Sequence, residues 1–120
     1  MSEIRVKRAY DPPSADDGTR ILVDRLWPRG LKRDGAKIDV WLKDIAPSAD
    51  LRRWFAHDPA KWPGFQDRYR AELASNAALD ELLTLIRKHK RVTLLFGARD
   101  TAHNNAVVLQ AVCEQGAGHA

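Results

Sequence analysis

The chain has 120 residues, 44% of them hydrophobic and 30% charged, with 20 Lys and Arg against 16 Asp and Glu. That composition suits one soluble domain with its own core. No run approaches the ~18 apolar residues of a membrane span, and a single cysteine, Cys113, excludes an intrachain disulfide.

EIRVKRAY, from residue 3, alternates apolar and charged positions and predicts a half-buried strand. DPPSADDGT, rich in Pro, Asp and Gly, predicts a loop. RILVDRLW, residues 20–27, predicts a second strand, more continuously apolar and so more central, stopped by Pro28 and Gly30. Residues 38–46 are ambiguous: Ile38, Val40 and Leu42 fit a strand, whereas Ile38, Trp41, Leu42 and Ile45 fit a helix. A strand over about 40–45 is the expectation. Ser48, with Asp50 in the first turn, caps a short helix through Phe55.

Asp58-Pro59 marks a helix start, after which Trp62, Phe65, Tyr69 and Leu73 share one face. Pro63 sits awkwardly inside that pattern, so the helix starts there or kinks. Leu79, Leu82, Leu83 and Ile86 predict an amphipathic helix whose last turn carries Arg87, Lys88 and His89. RVTLLFG predicts a buried strand. A closing helix follows, with Asp100 or Thr101 at its N-cap. Strands separated by helices argue for an α/β domain: a small, largely parallel sheet of three or four strands flanked by helices. Residues 1–115 read as that single domain and 116–120 as a flexible tail.

Ligands in such folds sit beyond the C-terminal strand ends. Here those ends carry Asp24, Arg25, Trp27 and Arg29 in one segment and Arg99, Asp100, Asn104 and Asn105 in another. The helix start would favour an anion. Arg25, Arg29 and Arg99 could add bidentate donors, Trp27 could stack on a ring, and Asn104 and Asn105 could read a base or sugar edge. Asp24 and Asp100 are the candidate catalytic carboxylates, with Asp44, beside Lys43, able to join the same rim. Each has a structural alternative: an Asp24–Arg25 salt bridge, a core Trp27, a helix cap from Asp100, or plain polar surface at Asn104 and Asn105. Arg29, framed by Pro28 and Gly30, is expected to face the ligand, and Arg25 to pair with an acid.

The four histidines and Cys113 lack metal-ligand spacing. No glycine-rich phosphate loop, dinucleotide fingerprint or nucleophile elbow is present. Cys113 reads as a core thiol. No metal or cofactor is expected.

KRAYDPP, DGTRILVDRLWPRGLKRD, IDVWLKDIAPSADLRRWFAHDPAKW, FQDRYRAEL and VTLLFGARDTAHNNAVVL resemble the YeaO-like family of uncharacterised bacterial proteins, over residues 4 to 112. The resemblance implies an α/β domain with a site at the strand ends, and no reaction. Pro63-Gly64 departs from the family's pattern, as does Arg99, where relatives carry lysine.

Three functions follow, the third a protein-interaction domain with Trp54 and Phe55 as its patch. The first is a strand-end pocket for an anionic or nucleotide-like small molecule, with or without catalysis. The second, weaker one is a nucleic-acid-binding or regulatory module, prompted by a front half (1–53) that holds 12 of the 20 basic and 9 of the 16 acidic residues. Neither a basic recognition helix nor an aromatic-basic RNA motif supports it. No membrane partner is expected. The opening MSEIRVKRAYD lacks the apolar stretch of a secretory signal, so a cytoplasmic location is expected.

Overall fold

The structure, a computed structural model, describes residues 3–118, with side chains described through residue 115. Four strands form one sheet: β1 (Glu3–Arg8), β2 (Thr19–Leu22), β3 (Val40–Trp41) and β4 (Arg91–Phe96). They lie in the order β1-β4-β2-β3, and every pairing is parallel. The helices are α1 (Arg33–Ala36), α2 (Ala49–Phe55), α3 (Trp62–Leu73), α4 (Ala77–Lys88) and α5 (Asn105–Gly118). This is the α/β domain with a small parallel sheet that the element order implies.

RVTLLF takes a central position because it is apolar towards both faces. Val92, Leu94 and Phe96 join the main core with α2 to α5, and Leu95 joins a second cluster on the opposite face. The main core includes Phe55 of α2, Phe65, Tyr69 and Leu73 of α3, Leu82 and Ile86 of α4, and Leu109 and Cys113 of α5. The second cluster sets Ala9, Leu22 and Leu95 against Trp27, Leu31, Ile38 and Trp41. One face is thus covered by helices, and the other by the long connection that contains α1.

Local signals explain the helix starts. Ser48 Oγ accepts from the Leu51 N–H (3.1 Å) and caps α2, as expected. Asp58 caps a 3-10 turn over Pro59–Lys61, and α3 then opens at Trp62, so Pro63 falls in the first turn, where its missing N–H costs nothing. Trp62, Phe65 and Tyr69 pack inward as the periodicity predicts.

Three sequence expectations need correction. β2 ends at Leu22, not Trp27; the Val23 N–H still reaches the Leu95 carbonyl (3.1 Å), but 24–26 form a bend. The third strand is only two residues long, because Leu42 leaves extended geometry and Lys43–Ile45 turn into a 3-10 segment. α1 (Arg33–Ala36) lies where the sequence pattern assigned no element. The cap of α5 is Asn104, whose Oδ1 accepts from the Val107 N–H (3.1 Å), rather than Asp100 or Thr101. Of the expected tail, 116–118 continue α5 and 119–120 lie outside the described residues.

A buried ionic knot closes the N-terminal end of the sheet. Asp17 and Arg20 are each 3% exposed and form an ion pair. Arg20 also donates twice to the Ala36 carbonyl (3.1 and 2.9 Å). Asp17 accepts from Lys7 Nζ and the Ser14 N–H, and its own carbonyl accepts from Thr93 Oγ1. Among the described residues, no helix is long and apolar enough to cross a membrane.

Candidate functional site

Ile21 pairs with Leu94 and Leu22 with Leu95, so the ends of β2 and β4 lie side by side. Beyond them opens a cavity of about 670 Å³, within the range of small-molecule sites. Its lining comes from Tyr10 after β1, residues 24–29 after β2, and Ala46, Pro47, Arg52, Phe55 and His57 around α2. Phe65 of α3, Gly97 and Ala98 after β4, and residues 103–105 at the start of α5 complete it. The two segments singled out by the strand-end rule meet here.

Asp24 is the best-anchored polar group. Its Oδ2 accepts from the Gly97 N–H (2.7 Å), and its Oδ1 from Asn105 Nδ2 (3.2 Å). Gly97 makes the approach possible: a Cβ there would lie 3.2 Å from Asp24 Oδ2. Burial pushes the carboxyl above its ordinary range. The Gly97 and Asn105 hydrogen bonds and the field of Arg52 pull the other way without cancelling that rise.

The two asparagines build the site from behind. Asn105 Nδ2 bridges the Val23 carbonyl (3.0 Å) and Asp24. Asn104, 4% exposed, donates to the Asp100 carbonyl (2.9 Å) while it caps α5. Both N–H groups of the Asn105 amide are therefore committed to the protein, as is one of Asn104's.

The arginines divide by partner. Arg25 lies 3.6 Å from Asp44, an ion pair with both side chains more than half exposed. That is the acid partner expected for it, but at the surface. Arg29 and Arg52 both line the cavity, and neither guanidinium has a hydrogen-bond or ion-pair partner among the described residues. Trp27 donates from Nε1 to the Leu31 carbonyl (2.7 Å), meets Trp41 edge-on at 5.6 Å and carries Arg33 over its ring at 4.6 Å. It covers the sheet as well as bordering the cavity.

Four sequence candidates lie outside the lining. Lys43 sits over the Trp41 ring (5.7 Å), Asp44 pairs with Arg25, and Arg99 is exposed. Asp100 organises the turn before α5, accepting from the Ala102 and His103 N–H groups and meeting His103 Nδ1 at 2.8 Å. The Ala102 N–H and then His103 hold its carboxyl below the ordinary range.

Tyr10, Arg52 and His57 are among the lining residues that the sequence reading does not single out. Tyr10 closes one side, its hydroxyl donating to the Arg29 carbonyl (2.8 Å). Arg52 and His57 come from α2 and its exit. Ala56 and His57 both have positive φ (48° and 57°), a left-handed conformation that costs about 1–2 kcal/mol per non-glycine residue. No periodicity announces such a pair, and Arg52 reads in sequence as a solvated helix position.

Cys113 lies in the core, where burial pushes its thiol up to about 12, so it is not a thiolate nucleophile. Among the described residues, no three His, Cys, Asp or Glu side chains are grouped to hold a metal ion.

Residues 3–118 match the family described as the inactive DUF488-N3 subclade. The chain belongs to that family. Relatives of this DUF488-N3 member include the uncharacterised protein YeaO of Escherichia coli K12, 44% identical over 106 residues that cover 88% of this chain and 92% of the relative. Uncharacterised proteins of Mycobacterium tuberculosis H37Rv and Mycobacterium bovis are each 42% identical over 108 residues, covering 90% of this chain and 91% of theirs. The YeaO-like resemblance is thereby established for almost the whole chain. No solved structure matches this DUF488-N3 sequence.

Proposed function

We propose that this domain binds a small anionic ligand, nucleotide-like in size, in the cavity beyond β2 and β4, and that it binds without turnover. The observation that carries this reading is that two exposed arginines without protein partners, Arg29 and Arg52, line one cavity. Arginines without protein partners that face the same cavity are suited to a bidentate anion. The start of α5 borders the same space and adds the positive end of a helix dipole. The strained Ala56–His57 pair supports it too, since such strain gathers at ligand sites.

Binding without turnover is favoured by two things. The family's description calls the subclade inactive. Asp100 is also spent on the turn before α5, which leaves Asp24 without a second free carboxylate in the lining. The expected setting is the cytoplasm.

The test is a thermal-shift screen of inorganic phosphate, pyrophosphate, nucleotides, sugar phosphates and organic acids, because a ligand of the native state raises apparent stability. Arg29→Ala and Arg52→Ala should leave the unliganded midpoint within a degree or so and remove the shift. If no anion stabilises the native chain, the reading fails. Tight, sequence-selective binding of duplex DNA at physiological salt would favour the regulatory alternative instead.

A further inference from the structure

The anion reading leaves Asp24 unexplained: a cavity for anions has a carboxylate in its wall. A carboxylate has about four acceptor positions, and protein N–H groups take one on each oxygen, from Gly97 and Asn105. The remaining positions belong to a half-buried side chain that lines the cavity. Water can serve them while the cavity is open. A ligand that displaces that water must itself donate, or it strands a charged acceptor in a poorly solvated place. Arg52 sharpens the requirement. Its field acts on Asp24, yet the two form no ion pair, so a gap separates a cation from an acceptor in the same cavity. A ligand filling the gap would present an acceptor to one side and a donor to the other.

The donor's charge is also constrained. Arg29 and Arg52, neither with an acidic partner, line the cavity with the single carboxylate of Asp24, while Arg25 is paired with Asp44. An ammonium group would meet that excess of positive charge, whereas a neutral hydroxyl would not. We propose that the ligand is a hydroxylated anion, a polyol phosphate or hydroxycarboxylate, with its hydroxyl donating to Asp24 and its anionic group held by Arg52 and Arg29. This rests on the anion-binding reading and adds the second recognition point.

Matched ligands on the full chain test it by titration calorimetry: inorganic phosphate, n-propyl phosphate, glycerol 3-phosphate and phosphoethanolamine, with propionate and glycerate in parallel. Glycerol 3-phosphate should bind about tenfold tighter than n-propyl phosphate, one hydrogen bond to a charged acceptor being worth that much. Asp24→Asn should bring the ratio towards one while phosphate still binds. Should that variant fold poorly, the ratio on the unaltered chain decides alone. Discrimination only between glycerate and propionate supports the proposal with carboxylate as the anion. Equal binding within both pairs, with phosphate still bound, overturns the hydroxyl contact and leaves the anion site standing. Tighter binding of phosphoethanolamine than of glycerol 3-phosphate overturns the neutral donor. If no anion binds, the anion reading falls and takes this proposal with it.

Discussion

The two ends of the sheet each hold a carboxylate, and the fold treats them in opposite ways. At the N-terminal end, burial pushes the Asp17 carboxyl up, but the Ser14 N–H, Lys7 and Arg20 outweigh it and hold it below the ordinary range. At the C-terminal end, burial dominates, and Asp24 is held above that range. The first acid is buried beside a partner that is equally buried. The second faces an open cavity whose nearest unpartnered cation stays apart from it. A closed, fully satisfied charge cluster is built for stability. An incompletely satisfied one, on a concave surface, fits the ligand-binding role proposed for it.

The largest expected effect tests that contrast directly. Asp17→Asn leaves the Arg20 guanidinium buried without its counter-charge, which should cost about 3–5 kcal/mol in urea unfolding. The pH dependence has a definite sign. The folded pKa of Asp17 is lowered, so its contribution is present above the unfolded value, near 3.9, and is lost as pH falls through the folded value. The variant should therefore show a flatter loss of stability in acid. Asp24 runs the other way: its raised folded pKa means that its contribution declines as pH rises from the unfolded value through the folded one. A variant Asp17→Asn as stable as the native chain would refute the division between the two ends.

A smaller loss is expected from Gly18→Ala. Gly18 has φ +65°, and a Cβ there would lie 2.2 Å from the Arg91 carbonyl oxygen at the start of β4. Displacing that strand end should cost about 1–3 kcal/mol by thermal or urea unfolding. Tyr69→Phe should cost about 1 kcal/mol, because the buried hydroxyl donates to the Ile45 carbonyl (2.6 Å) just before the Ala46–Pro47 wall of the cavity. The smallest effect belongs to the site end. Arg25→Ala breaks only an exposed pair with Asp44, worth about 0–1 kcal/mol. A loss of 3 kcal/mol or more there would mean that this end is also a structural cluster.

The contrast also explains what could be read from sequence. RVTLLF, Ser48 and the Trp62–Leu73 face announce themselves because each carries a local rule: two-sided apolarity, a side-chain cap, a helical period. The convergence of residues 24–29 with 103–105 follows from the parallel-sheet rule alone. The third strand misleads because Ile38, Val40 and Leu42 alternate correctly, but the backbone turns at Leu42 after only two ladder pairs. The ionic knot is harder to see. Nothing in DPPSADDGTR marks Asp17 and Arg20 as buried, although the Ser14–Asp17 capping box does signal local order. Arg52 and His57 reach the cavity through tertiary placement and a left-handed exit from α2, neither of which leaves a periodic trace.

The central claim is that the C-terminal end of the sheet is a receiving site, and amide-resolved NMR during titration with inorganic phosphate tests it most directly. Saturable shifts should concentrate at Arg25–Arg29, Arg52–His57 and Gly97–Asn105, and Arg52→Ala should abolish them without disturbing the rest of the spectrum. Shifts confined to the N-terminal end around Asp17 and Arg20, or none up to tens of millimolar phosphate, would contradict the account.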